Sequence, residues 1–187
     1  MHAEPRALVS EPPVNPLRVV SLTGAATEGA AGGSGADDAV AMIAALNNLG
    51  SVLGALGDLD GARQHLERAV EVAEAAFGPH HADVGTCLNN LGSVLQDQGD
   101  LDGARANYER ALTIAEATYW PADPGLATRL SNLACLLRDQ GDLPGARRHL
   151  EQALAAAVAA FGPDHADVGT IRENLARIEA ESRDAGA

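Results

Sequence analysis

The chain has 187 residues and a net charge of −13, from 26 acids against 13 bases, and every base is arginine. Apolar residues make up 46% but aromatic residues only 3%, so a core here must come from small aliphatic side chains packed closely. So acidic a chain repels a phosphate backbone and an anionic membrane surface, which sets nucleic acid and membrane aside as expected partners.

Residues 1–36 differ in kind from the rest, with four prolines by residue 16 and then GAATEGAAGGSGA. That composition predicts a flexible leader. Its start, MHAEPRALVSEPP, lacks the apolar run of a secretory signal. No stretch of the chain offers the ~20 consecutive apolar residues of a membrane span. Cys87 and Cys135 are too few for a disulfide framework, so the expected setting is cytoplasmic. LRVVSL at 17–22 has strand character, but nothing else in the chain offers a sheet to join. Asp37 or Asp38 is placed to cap the first helix.

From residue 45 the chain repeats itself. Segments 45–86, 87–128 and 129–170 align without a gap at a period of 42, the first and third agreeing at 26 positions and the first and second at 23. LNNLGSVL stands unchanged at 46–53 and 88–95. Asn48-Leu49-Gly50 returns as Asn90-Leu91-Gly92, Asn132-Leu133-Ala134 and Asn174-Leu175-Ala176.

Each unit reads as two helices. In the second unit Val84, Cys87, Leu88, Leu91, Val94 and Leu95 recur at three- and four-residue intervals, which predicts a first helix over 82–97. By the same spacing Leu46, Leu49, Val52 and Leu53 are expected to pack in the first unit, with Gly50 marking a close approach. Gly99 follows the helix as a stop, and Ala104, Tyr108, Ala111, Leu112 and Ala115 form the stripe of a second helix. Pro144 falls at the start of the third unit's second helix, where its missing N–H costs nothing. Phe77-Gly78-Pro79 and Phe161-Gly162-Pro163 end the second helices and turn the chain. Alanines at 62, 69, 104, 111, 146 and 153 allow the helices to approach closely. A helix pair of this length cannot bury its stripe alone, whereas stacked neighbours can. The reading is an all-α array over 37–183, with units at about 37–80, 81–122 and 123–164, a capping helix at 165–183 and a tail at 184–187. The last helix carries Arg177, Glu179, Glu181 and Arg183, as a water-facing cap would; the alternative is an array that stops mid-repeat.

The pattern L-x-N-L-G-x-x-L, then G-D-L, then A-R-x-x-L/Y-E-R-A-L closely resembles the tetratricopeptide repeat. The 42-residue period, with G-P-x-H-x-D-V between units, is most similar to the kinesin-light-chain type, which also occurs in bacterial regulatory proteins. The all-arginine, Ala/Gly-rich composition suits a GC-rich bacterial genome. Such bacterial arrays resemble sensor parts of larger signalling ATPases, but this chain has neither a G-x-x-x-x-G-K-[ST] loop nor a lysine to fill one. The resemblance implies a right-handed superhelix of helix pairs, whose first helices line a concave groove for a partner protein or peptide.

Transferred onto this sequence, the groove positions are Asn47, Asn48 and Ser51 in the first unit, then Thr86, Asn89, Asn90, Ser93 and Gln96 in the second. Ser131, Asn132, Cys135 and Arg138 follow in the third, with Asn174 and Arg177 on the last helix. Asparagine can donate to one peptide carbonyl and accept from one N–H, so a row of them can pair with a partner's main chain. Asn48, Asn90, Asn132 and Asn174 have a second reading, as side chains that tie neighbouring helices. Asn47 and Asn89 are read as the freer pair, because their equivalents drift to Ser131 and Glu173. Chaperone-binding members of the family grip a C-terminal carboxylate with basic residues at the positions of Asn47, Ser51, Asn89 and Ser93. Those four are uncharged here, so the resemblance stops short of that clamp.

Catalytic and metal chemistry have little to stand on. His80, His81 and Asp83, with His165 and Asp167, fall in the turns between units, where the middle unit has Ala122, Asp123 and Gly125 instead. A structural zinc site needs four converging ligands, so these are read as turn residues and no metal or cofactor is expected. Cys87 lies on the apolar stripe, and Cys135 has no base that spacing places beside it. Trp120 replaces a glycine suited to a left-handed helix stop; it either packs into an altered turn or stands out as an anchor for a partner. The expectation is a non-catalytic scaffold for a partner, with a self-associating structural or regulatory module, a homo-oligomer, as the alternative.

Overall fold

The computed structural model describes residues 35–119 and 124–185. Most of the expected leader, the LRVVSL segment and Trp120 lie outside the described residues. Within them the regular structure is entirely helical: α1 (Gly35–Ala55), α2 (Leu59–Phe77), α3 (Ala82–Asp97), α4 (Leu101–Tyr119), α5 (Pro124–Asp139), α6 (Leu143–Phe161) and α7 (Ala166–Ala185). Three helix hairpins, α1–α2, α3–α4 and α5–α6, stack in sequence, and α7 packs on α6.

The same device joins the two helices of every pair. A glycine at φ 83–84°, at 57, 99 and 141, turns the chain out of the first helix. One residue later Asp58, Asp100 or Asp142 accepts a hydrogen bond from the backbone N–H of Gly61, Gly103 or Gly145, at 3.0, 3.0 and 2.9 Å. These caps satisfy a helix-start donor that would otherwise be orphaned. Between units His81 and His165 do the capping, their Nδ1 atoms accepting from the N–H of Asp83 and Asp167 at 3.3 Å. Both imidazoles lie against Phe77 and Phe161, with centroids 4.7 Å apart. The G-P-x-H-x-D phrase is therefore a turn held by a ring contact and a cap.

Two boundaries differ from expectation. α1 begins at Gly35, so Asp37 and Asp38 sit inside its first turn, where their charges favour the helix N-terminus, rather than before it. α7 runs to Ala185 and absorbs the start of the expected tail.

Close approach within each pair rests on one small residue. A Cβ added to Gly92 would lie 2.7 Å from Tyr108 Cε1, and one added to Gly50 2.6 Å from Leu66 Cγ. The third unit carries Ala134 and Leu150 at the equivalent places, both buried. The alanines at 62, 69, 104, 111, 146 and 153 are fully buried, as their spacing predicts. A continuous core runs from α2 through α6 to Val168, Ile171 and Ile178 on α7.

The first helix departs from this pattern. Leu49 and Val52 are 43% and 44% exposed, whereas Leu91 and Val94, their equivalents in α3, are 7% and 6% exposed. The expectation that both pack is corrected for a simple reason: α2 covers that face of α3, and no described element precedes α1 to cover its own. By length and mean composition α1 is apolar enough to cross a membrane, although Asp37, Asp38, Asn47 and Asn48 interrupt its apolar run. Its opposite face, with Ile43 and Gly50, is buried within the array.

Candidate functional site

The first helices lie nearest one another along one side. α1 touches α3 and α3 touches α5, while the second helices make no comparable contact among themselves within the described residues. That side is therefore the inner one, and the candidate residues sit on it.

The doubled asparagines have a geometric explanation. Successive helical residues point about 100° apart, so in a row of parallel helices one of two neighbours faces the helix before and the other the helix after. Asn90 Nδ2 donates to Asn47 Oδ1 at 3.2 Å, and Asn132 Nδ2 donates to Asn89 Oδ1 at 3.0 Å. The offset is 43, one more than the repeat, because the two partners come from adjacent positions of the phrase. Asn47 also donates to Cys87 Sγ at 3.1 Å, and Asn89 is 7% exposed, the one buried polar residue of the described core. Asn47 and Asn89 are thus the acceptors of a ladder between helices, not the freer pair. The tie between helices fits Asn90 and Asn132. Asn48, whose face meets no preceding helix among the described residues, is exposed.

Two further contacts at the same offset join α3 to α5. Arg129 Nη2 donates to Thr86 Oγ1 at 3.4 Å, and Gln96 Nε2 donates to Asp139 Oδ2 at 2.7 Å. Asp139 also takes Arg138 Nη2 at 2.8 Å, and Tyr108 Oη donates to Gln96 Oε1 at 3.3 Å. Thr86 and Gln96 therefore brace the inner wall as well as lining it, and Arg138 holds the Asp139 carboxylate that Gln96 reaches. Arg129 is the contact that sequence reasoning missed; its signal was an arginine at the place where the second unit has Cys87.

The ladder weakens at its last step. Ser131 stands where Asn47 and Asn89 stand, and its buried hydroxyl has no hydrogen-bond partner among the described residues. Asn174 on α7 is half-buried and Arg177 is exposed. Ser51, Ser93, Cys135 and Arg177 share one position in their repeats, a row beside the ladder that is exposed at Ser51 and Arg177 and half-buried at Ser93 and Cys135. Ser51 is exposed and donates to the Asn47 carbonyl at 2.9 Å, and Ser93 lies half-buried beside Tyr108.

Neither thiol is poised for chemistry. Burial pushes Cys87 up to about 11, against a smaller opposing effect of the Asn47 hydrogen bond. Burial likewise raises Cys135, although Arg138 and Arg177 pull the other way. A thiol, not a thiolate, is the neutral-pH form of both, and thiolate is the nucleophile. No group of three His, Cys, Asp or Glu side chains gathers as for a metal ion among the described residues.

Stacked helix hairpins with a polar inner row define an α-solenoid of the kind that presents a surface rather than an enclosed cleft. The tetratricopeptide-repeat family matches this sequence over residues 41–117, 88–157 and 125–186. The chain belongs to that family, whose members in general act as non-catalytic scaffolds for protein–protein interaction. Similar solved structures include the crystal structure of BtubC (BKLC) from P. vanneervenii, at 21% identity and a TM-score of 0.71, over 79% of this chain and 59% of that one. A putative kinesin light chain from Podosopora anserina with nearly identical TPR-like repeats follows at 20% identity and a TM-score of 0.66, over 72% and 64%. The N-terminal domain of stress-induced protein-1 from C. elegans is similar at 19% identity and a TM-score of 0.54, over 79% and 99%. The chain thus spans less than two thirds of the first two. No curated protein matches it.

Proposed function

We propose that this chain is a non-catalytic scaffold that holds an extended or helical segment of a partner protein along the inner face of its first helices. The carrying observation is the row Ser51, Ser93, Cys135 and Arg177, one residue per unit at one register and exposed at its two ends, backed by the asparagine ladder that sets the spacing of the helices. Small polar groups at a regular interval suit a main chain, which repeats its own donors and acceptors. Asn48 at one end and Asn174 at the other flank that row. Within it Asn47 and Asn89 act as bracing, and partner contact falls to the side chains beside them.

Photo-crosslinkers at Ser51 and, as a control, at Glu67 on the exposed side of α2 test this reading in the native host. Capture of the same protein from Ser51 and not from Glu67 is expected, and Ser51→Arg is expected to weaken that protein's binding at least about tenfold by filling the row. The register accepts arginine, since Arg177 occupies it on α7. Capture from Glu67 alone, or unchanged affinity in the folded variant, moves the binding surface elsewhere.

A further inference from the structure

The exposed face of α1 is the most apolar surface of the described structure. Of its exposed large hydrophobic residues, Val40, Met42, Leu49 and Val52 lie on α1 and Leu56 just beyond it; only Phe161 lies elsewhere. Met42, Ala45, Leu49, Val52 and Leu56 recur at intervals of three, four, three and four, the spacing of a coiled-coil seam. Between Asp38 and Asp58 no side chain is ionisable. This seam is not the inner row, because it faces where α2 would lie if α1 were α3.

We propose that this seam is the interface of a symmetric homodimer, in which α1 packs antiparallel on α1 of a second copy with Leu49 at the two-fold axis. Three observations select a second copy as the occupant. A seam of this spacing is complemented by another seam of the same spacing, and on the described surface the only one is α1 itself. A chain of net charge −13 repels its own kind over most of its surface, and this uncharged strip is where two copies can approach. Residues 17–34, which stand one repeat ahead of α2, carry Gly24, Gly29, Gly32 and Gly33 and none of the A-R-x-x-L-E-R-A pattern of a second helix. The antiparallel sense sets the two helix dipoles head to tail and removes Asp37 and Asp38 from their own copies, which a parallel pair would place side by side. The interface is isologous and closes at two, because α7 offers no matching seam: Arg172, Ala176 and Glu179 face solvent there, where α5 has Leu130, Ala134 and Leu137.

Sedimentation equilibrium of the full chain over a concentration series tests the inference, with a mass twice that of the monomer expected at the upper end. Leu49→Glu sets two carboxylates face to face at the axis and is expected to weaken the dimer about 100-fold or more. Leu49→Lys is expected to do the same, and an equimolar mixture of the two variants to recover the dimer. That recovery requires residue 49 of one copy to meet residue 49 of the other. Far-UV circular dichroism checks that the helices persist; if Leu49→Glu unfolds the chain, Val52→Glu and Ala45→Lys, which meet across the antiparallel pair, replace the two variants. A parent that stays monomeric throughout overturns the proposal, as do two variants whose mixture stays monomeric. Phosphatidylcholine vesicles that bind the parent and not Leu49→Glu assign the seam to a lipid surface instead, and overturn it equally.

Discussion

LNNLGSVL in α1 and LNNLGSVL in α3 share every atom, yet their surroundings differ. In α3 the phrase lies between two helix pairs, so its leucines and Val94 are buried, Asn90 reaches back to Asn47, and Asn89 accepts from Asn132. In α1 no described element covers one side. Leu49 and Val52 face outward, and Asn48 meets no preceding helix among the described residues. The last helix handles its own open side differently, with Arg172 and Glu179 in place of the leucines of α3 and α5. Within the described residues the array thus has two unlike ends, an apolar face on α1 and a polar one on α7.

The contrast between the two copies is measurable, most strongly at their shared leucine. Leu91→Ala is expected to destabilise the fold by about 3 kcal/mol, as for a buried leucine. Leu49→Ala is expected to cost under about 1 kcal/mol in urea titrations of dilute, monomeric protein. Equal costs would mean that α1 is covered after all.

Cys87, at the joint of α1 and α3, gives a pH effect of comparable size. Its thiol is held neutral up to about 11 in the fold, against an ordinary value of 9.0. The unfolded chain therefore releases this proton first, so the stability linked to it is intact below pH 9.0 and falls as pH rises through about 11. The loss is about 2–3 kcal/mol, and Cys87→Ala should flatten that part of the pH profile. A profile unchanged by the substitution would show that the thiol is not shielded.

Smaller effects come from the glycine and the asparagines. Gly92→Ala drives a methyl into the ring of Tyr108 and is expected to cost about 1–2 kcal/mol. Gly50→Ala meets Leu66 Cγ and the Ala62 carbonyl and is expected to cost less, under about 1 kcal/mol, because an aliphatic chain can shift where a ring cannot and alanine's helix propensity offsets part of the clash. Thermal unfolding of the two variants decides, and a reversed order would remove the rigid-ring argument. Asn89→Ala orphans the Asn132 amide and should cost about 1 kcal/mol, against less than about 0.5 kcal/mol for the exposed Asn48→Ala. Equal values would sink the ladder as a source of stability.

Much of the molecule was legible in its residues. The period of 42, the glycine stops and the alanine spacing foretell three helix pairs and a last single helix, and the reading of 82–97 matches α3, because helix spacing and turn chemistry are local properties. The family resemblance followed from the same repeated phrase. The asparagine roles were not legible, since Asn47 and Asn48 are chemically alike and differ only in which neighbouring helix each one faces. Arg129 was hidden for a similar reason: its partner, Thr86, lies in the previous unit. Leu49 and Leu91 show the limit most plainly. Local pattern makes both of them core residues, but burial depends on what is stacked against a helix, and that is decided only when the units assemble.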